Sequence, residues 1–507
     1  MKSYTRILVF VLLLSSVAAV ADTYWVAFTD KKGTTGDIRH PEDFLSPQAV
    51  ERRSRQSIPF DSLDLPVSQT YLDSLTRIGV DILFVSRWLN GATVRTDDYS
   101  LIQQISHCQF VSTVERTQSD KAPKNAHRKK LSIDKTGSLP YGAAKAQIEM
   151  LQLHRLHNAG YHGENVCIAV IDNGFPKTDK SHYFDYVRPR LAHTKNFVNP
   201  EEDVSAVGGH GTSVLSCMAA YADDYCGTAP DATYCLVVTE DDYTESLREI
   251  DAQVAGFEYA DSIGADIITS SLGYAFDFDD PATDLSYSQL NGHFARNSRA
   301  ATIAARKGMI VCISVGNEGN VAWHYLSSPA DADSILAVGS VTSNGIKSPF
   351  SSFGPSADGR IKPEVCAMGT STALYNPDTD NISTSNGTSF SAPLIAGMAA
   401  CLRQALPELS NMQIIKRILL SASQADTPDN AVGYGIPDAW AAYLGEKTGL
   451  QMPQTDLTAS SVEIYSLQGQ PLGTDLRDLP SGAYIQKTGT GTTTKKIIVT
   501  NNAETSY

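Results

Sequence analysis

Long apolar runs are the first thing this sequence lacks. After residue 21 no stretch reaches 18 consecutive apolar residues, which excludes a membrane-spanning helix from the rest of the chain. Cysteine is sparse too. Eight are scattered over 507 residues without one Cys-x-x-Cys pair, so the sequence encodes neither a zinc motif nor a dithiol redox motif. Positive charge is in the minority: 41 Lys and Arg face 56 Asp and Glu, a net charge of −15 with a pI near 5.2. That balance argues against nucleic-acid binding and for ordinary solubility.

The one apolar run that does stand out is N-terminal. Lys2 and Arg6 precede Ile7–Leu14, and Ala19-Val20-Ala21 offers a small-x-small cleavage site. Residues 1–21 therefore read as a secretory signal peptide. No cysteine follows closely enough for a lipid anchor, so the expected location is secreted or on the outer cell surface. Cys167, Cys217, Cys312 and Cys401 fall in apolar segments and read as small core residues. Cys226 and Cys235 flank a Gly-Thr-Ala-Pro turn, where export would permit a bridge.

The rest of the chain is organised around residues 384–402. A run of small hydroxyl residues and Gly387 leads into Ser389, followed by Ala392, Ile395, Ala396, Ala399 and Leu402 at helical spacing. Pro393 lies close to the start of that helix, where first-turn N–H groups lack intrahelical partners and proline is tolerated. Ser389 is thus expected at the N-terminus of a buried helix. Local pattern alone suits an N-capping serine as well as a nucleophile favoured by the positive helix end.

Partners elsewhere favour the nucleophile. Val166–Ile171 and Met309–Val315 are continuous apolar runs, read as strands buried on both faces of a parallel sheet. The first ends in Asp172-Asn173-Gly174 and the second in Gly316-Asn317-Glu318-Gly319. Such carboxyl ends are where open α/β sheets place their sites. Between them, Gly208-Gly209-His210-Gly211-Thr212 opens another small-residue helix. An acid, a base, an amide and a serine each stand at an element end.

These motifs resemble the subtilisin-like serine peptidases (subtilases). The strand ending at Asp172, His210-Gly211-Thr212, Ser271-Leu272-Gly273, Gly316-Asn317 and Gly387-Thr-Ser-Phe-Ser-Ala-Pro393 match in order, and Asp, His, Ser is the subtilisin order. The resemblance spans residues 140–447. It implies a parallel sheet with helices on both faces, and an Asp172-His210-Ser389 triad with Asn317 in the oxyanion hole. It also implies that Ser271, Leu272 and Gly273 present backbone to an extended substrate. No metal or cofactor is needed for that chemistry, although a structural calcium ion has a place in such folds. Two departures stand out: Asn173 where the family usually has Ser or Thr, and Ala367-Met368-Gly369 where it tends to have Ala-Pro-Gly.

Residues 22–117 form a small α+β unit with strands at 24–28, 81–85, 93–95 and 110–114 and helices at 47–55 and 68–78. By resemblance it is a propeptide, an intramolecular inhibitor occupying the cleft until it is removed. Residues 118–139 form a basic linker (Lys121, Lys124, His127, Arg128, Lys129, Lys130, Lys135) and a processing region. Within 140–447, residues 150–160 are expected to be one helix bearing His154 and His157, with no carboxylate at metal-ligand spacing. Thr233–Val238 and residues 265–271 read as strands, 251–264 as a helix, and 274–300 as a polar surface insertion. Glu240-Asp241-Asp242 reads as a solvated loop, with calcium or a substrate side chain as the alternative.

After a linker at 448–457, residues 458–507 carry short strands at 462–467, 482–485 and 496–499, a small all-β module. Its Leu-Pro-Ser-Gly-Ala-Tyr and Lys-Lys-Ile-Ile-Val segments resemble the C-terminal sorting domains of Bacteroidetes type IX secretion substrates, which implies secretion machinery as a partner. The reading is a secreted serine endopeptidase made as a zymogen and acting on protein or peptide substrates. The competing class is a surface binding protein on an inactive peptidase fold.

Overall fold

The computed structural model describes residues 22–118, 141–447, 450–451, 462–465, 471–473, 482–488 and 493–499. The signal peptide and almost all of the basic linker lie outside these residues. The chain divides into two compact units, one ending at Leu450 and the other beginning at Gln451.

The first unit begins with β1 (Asp22–Phe28), α1 (Pro47–Arg55), α2 (Gln69–Ile78), β2 (Asp81–Ser86), β3 (Gly91–Thr96), α3 (Tyr99–Ser106) and β4 (Val111–Gln118). The strands form an antiparallel sheet in the order β2-β3-β1-β4. Tyr24, Val26 and Phe28 face a core closed by Leu75, Ile102 and Ile105. Trp25 points the other way, beneath the Arg296 guanidinium at 5.4 Å. Both faces of β1 are covered, which is why its sequence is a continuous apolar run rather than an alternating one.

What covers the second face is the following domain. It comprises α4 (Lys145–Met150), α5 (Leu153–Asn158), β5 (Cys167–Asp172), β6 (Leu191–Asn196), α6 (His210–Ala219), a hairpin β7–β8 (Tyr221–Ala222, Tyr225–Cys226) and β9 (Thr233–Val238). Then follow α7 (Leu247–Ile263), β10 (Ile267–Ser270), α8 (Arg296–Arg306), β11 (Ile310–Ser314), β12 (Leu336–Val341) and β13 (Val365–Met368). A hairpin β14–β15 (Thr372–Asn376, Asn381–Ser385), α9 (Thr388–Ala405), α10 (Asn411–Leu420) and α11 (Ala439–Leu444) complete it. Seven strands form one parallel sheet in the order β13-β12-β11-β10-β5-β9-β6. Along β5, Ile168 and Val170 enter the core shared with α6 and α9, while Ala169 and Ile171 enter the core shared with α7 and α8. The same alternation holds for Ile310 and Cys312 against Val311 and Ile313 in β11. This is the α/β architecture the apolar runs predict, with helices on both faces.

The N-terminal sheet docks on α7 through buried charge. Asp261 of α7 accepts hydrogen bonds from Arg52, from Arg53 (2.8 and 2.9 Å) and from Arg87 (2.6 Å). Glu258 accepts from Ser86 Oγ and from the Arg87 and Trp88 N–H groups (2.9 and 3.1 Å). Asp251 accepts from Thr93 Oγ1 at 2.8 Å and from Arg296 at 2.5 Å.

Several expectations are corrected. Residues 150–160 are not one helix: the chain breaks at Leu151 and at Gln152, whose φ is +52°, leaving the two short helices α4 and α5. Residues 274–300 are not a purely polar surface insertion. Tyr274, Phe278 and Leu290 are buried in a small core of their own with Leu272, and α8 starts at Arg296. Cys226 and Cys235 are both free thiols, because Cys226 lies in the core on one side of the sheet and Cys235 in the core on the other. His157 spends its ring nitrogens on the Tyr141 hydroxyl (3.1 Å) and the Thr228 carbonyl (3.0 Å), and burial lowers its pKa to about 4.

Two short strands, β16 (Glu446–Lys447) and β17 (Leu450–Gln451), follow the peptidase-like domain. In the second unit, β18 (Val462–Tyr465), β19 (Pro471–Gly473), β20 (Gly482–Thr488) and β21 (Thr493–Val499) form an antiparallel sheet in the order β19-β18-β20-β21. Thr488 of β20 pairs with Thr493 of β21.

Candidate active site

Three neighbouring strands of the parallel sheet deliver their carboxyl ends to one place. Asp172 is the last residue of β5, Ser271 directly follows β10, and Asn317 lies three residues beyond β11. The two remaining groups arrive on helix N-termini: His210 opens α6 and Ser389 is the second residue of α9.

Asp172 is fully buried, and its Oδ1 lies 2.7 Å from His210 Nδ1. The Asn173 N–H donates to the same oxygen at 2.9 Å. A carboxylate fixed in this way holds the imidazole with Nδ1 protonated and Nε2 toward the cavity. Asn173, the departure noted in the sequence, then clamps the histidine helix. Its Oδ1 accepts from the Gly209 and Gly211 N–H groups (3.4 and 3.2 Å), while its Nδ2 donates to Asp242 at 2.7 Å. Gly174 is required beside it, since a Cβ there would sit 1.8 Å from the Val207 carbonyl oxygen.

Ser389 does not cap α9. Gly387 holds the N-cap position, and Ser389 lies inside the first turn, 8% exposed. Pro393 is also deeper in the helix than the sequence reading assumed, five residues beyond Thr388. Proline there leaves the carbonyl four residues back without its helical donor. That carbonyl belongs to Ser389, and it accepts a hydrogen bond from Ser271 Oγ at 2.8 Å. The Ser389 hydroxyl in turn donates weakly to the Ser271 carbonyl at 3.5 Å.

Asn317 is tied by its oxygen, which accepts from the Thr388 N–H at 2.9 Å. Because that donor fixes which end of the amide is oxygen, Nδ2 is the end left facing the opposite side. Asn317, His210, Ser389, Ser271, Leu272 and Gly273 all line one cavity of about 300 Å³. Asp172 stands behind His210. All seven residues singled out from the sequence are therefore gathered together, six on the cavity wall and one supporting it. A Cβ at Gly273 would approach Ser327 Oγ to 2.2 Å and would have to displace that hydroxyl.

Sequence reasoning gave the 240–242 run a substrate side chain only as an alternative and did not single out Glu318. Glu240, Asp242 and Glu318 also line it. The loop is solvated at Asp242 and Tyr243, but Glu240 is half-buried and its carboxylate accepts from the buried Tyr274 hydroxyl at 2.5 Å. Burial, and then the neighbouring Glu245 and Glu249, push its pKa well above the usual carboxylate range. Burial likewise raises Glu318, whose Oε2 accepts from Ser352 Oγ at 2.8 Å. The run 240–242 was the one available signal.

Comparisons with known proteins agree with this geometry. Residues 163–435, more than half of the chain, match the subtilase family (Peptidase S8). Residues 23–132 match the Peptidase S8 propeptide domain of Bacteroidota. Subtilisin DY of Bacillus licheniformis is 29% identical over 291 residues, covering 56% of this chain and 92% of that protein. Subtilisin BL of Lederbergia lenta is 28% identical over 308 residues, covering 60% and 98%. Among solved structures, the epidermin leader peptide processing serine protease of Staphylococcus aureus superposes with a TM-score of 0.58 over 84% of this chain and 99% of that one. At 16% identity it bears on the fold alone. The chain belongs to the subtilase family: it is a subtilisin-like serine endopeptidase preceded by its propeptide domain.

Proposed function

We propose that the protein is a secreted zymogen which, once freed of its propeptide, hydrolyses peptide bonds through an acyl-enzyme on Ser389. His210 takes the hydroxyl proton as Ser389 attacks the carbonyl carbon, then returns it to the leaving amine. Asp172 keeps the imidazole in its tautomer and stabilises the imidazolium. Asn317 Nδ2 and the Ser389 N–H stabilise the oxyanion, and Ser271-Leu272-Gly273 pairs its backbone with an extended substrate. Water then repeats the cycle on the ester, and no cofactor enters. The observation that carries this reading is the 2.7 Å pairing of His210 with buried Asp172 behind a cavity that Ser389 lines.

The propeptide acts as the intramolecular inhibitor, and residues 118–139 are the segment cut on maturation. The N-terminal signal and the C-terminal β module support export, the module as a ligand of secretion machinery. A fluorophosphonate probe applied to the secreted protein and to Ser389→Ala, with intact mass recorded on both, tests the proposal. The native chain is expected to label and to lose more than its first 100 residues, while the variant stays full length and unlabelled. A native chain that takes no label after removal of residues 22–117 and cuts no casein would sink it.

A further inference from the structure

The cavity that holds Ser389 does not end there. It adjoins a second one of about 600 Å³, and Glu240, Asp242, Gly273, Glu318 and Ser327 line both. The second cavity adds Glu245, Asp277 and Asp279, and among the described residues no Lys or Arg lines either cavity. The donors that fix Glu240 and Glu318 are the neutral hydroxyls of Tyr274 and Ser352. Hydroxyls orient a carboxylate without cancelling its charge. Among the described residues no group of three or more His, Cys, Asp or Glu is arranged to hold a metal ion.

We propose that Glu318 and Glu240 select a substrate carrying lysine or arginine immediately before the scissile bond. The inference rests on the peptidase reading of Ser389. A peptide whose carbonyl carbon meets Ser389 Oγ must put the side chain of that residue into the space beside Gly273, Asn317 and Ser389. The wall there carries the Glu240 and Glu318 carboxyls, which an arriving cation would draw into their charged form. An ammonium or guanidinium with an apolar stem fits such a site, because its charge is matched while its stem lies along Leu272. A leucine in the same place would leave the carboxylates facing hydrocarbon. Burial raises the pKa values of Glu240, Glu318 and Glu245, and neighbouring carboxylates add to the shift at Glu240 and at Glu245, the latter to about 8.

The chain supplies a substrate of this type. Residues 118–139 carry Lys121, Lys124, Arg128, Lys129, Lys130 and Lys135 against only Asp120 and Asp134. The linker joining propeptide to peptidase is thus rich in the residues the cavity would accept.

The test uses the matured native enzyme on fluorogenic tetrapeptides identical except for the residue before the reporter: Arg, Lys, Leu or Glu. The native enzyme should cleave the Arg or Lys peptide with a kcat/KM about 10- to 100-fold above that of the Leu peptide, the size of one charge-assisted hydrogen bond. Glu318→Gln and Glu240→Gln should each shrink that ratio toward one, and the Arg-to-Lys ratio tells which cation fits better. A native enzyme that takes the fluorophosphonate yet cleaves the Leu peptide as fast as the Arg and Lys peptides overturns the specificity while leaving the peptidase reading intact. An enzyme that neither labels nor cleaves any peptide overturns both. If a Gln variant fails to mature, the native panel alone decides.

Discussion

Ser271 Oγ donates a hydrogen bond to the Ser389 carbonyl oxygen at 2.8 Å, and Pro393 is the reason that oxygen needs it. The proline removes the helical N–H that would have served Ser389, so Ser271, the first residue of the substrate-binding backbone, supplies the missing donor from just beyond β10. The nucleophile's place in the helix is thereby fixed to the end of β10, not to its own helix alone.

Ser271→Ala should expose that dependence. The Ser389 carbonyl would remain buried with no donor, a loss of about 1–3 kcal/mol. Thermal unfolding in a Ser389→Ala background, which prevents self-digestion, is expected to show a Tm several degrees lower. An unchanged Tm would mean that water replaces the hydroxyl.

Asn317 is the second point at which a single side chain carries chemistry. Replacing it with Ala removes the Nδ2 donor from the cavity and also the oxygen that accepts from the Thr388 N–H at 2.9 Å. The kcat of Asn317→Ala should fall by about 10²- to 10³-fold, the loss known for one such donor in subtilisin, with KM nearly unchanged. A loss confined to KM would assign Asn317 to substrate binding instead.

How much of this was legible follows from where each residue lies. Asp172, His210, Asn317 and Ser389 could be read because each stands where an apolar run gives way to polar residues, and that switch is local. The two-sided burial of β5 and β11 was legible for the same reason, as unbroken apolar runs. Ser271 acting through its side chain was not, since its partner lies 118 positions away and the need for it arises from Pro393. Tyr274 beneath Glu240 was hidden in a stretch whose composition is polar, and only the tertiary fold buries it. Gln152 breaks its helix through a positive φ, which no apolar periodicity records.

Asn173 shows how a departure from the family pattern can be read. Its amide joins the Gly209 and Gly211 N–H groups to Asp242, a span that a serine or threonine would not reach in full. Asn173→Ala should lower kcat about tenfold by loosening the start of α6 beneath His210, with KM within about twofold, since about 1 kcal/mol per lost hydrogen bond is at stake. Asn173→Ser should recover part of the rate. Equal losses in both variants, or a change in KM alone, would argue against a positioning role.

The strongest prediction concerns the propeptide interface. Asp261 is fully buried, which alone would raise its pKa, yet Arg52, Arg87 and Arg53 hold it down to about 2 from 3.8. A carboxylate depressed in the folded state stabilises that state fully above 3.8, and the contribution is lost as pH falls toward 2. From the size of the shift it amounts to about 2 kcal/mol at neutral pH. Asp251 and Glu258 work in the opposite sense, because burial raises both despite Arg296 and Arg87, so their charged forms cost stability at neutral pH and protonation relieves it. The pH dependence of the zymogen alone would mix the two effects. Comparison of the Ser389→Ala chain with the same chain carrying Asp261→Asn separates them, since asparagine mimics the protonated acid. At pH 7 the Asn variant should be less stable by at least about 2 kcal/mol, and up to about 5 if the guanidiniums are left without a counter-charge. The gap in Tm should narrow below pH 3.8 and close near pH 2. A gap that does not vary with pH would mean that Asp261 holds the propeptide by shape and hydrogen bonding rather than by its charge.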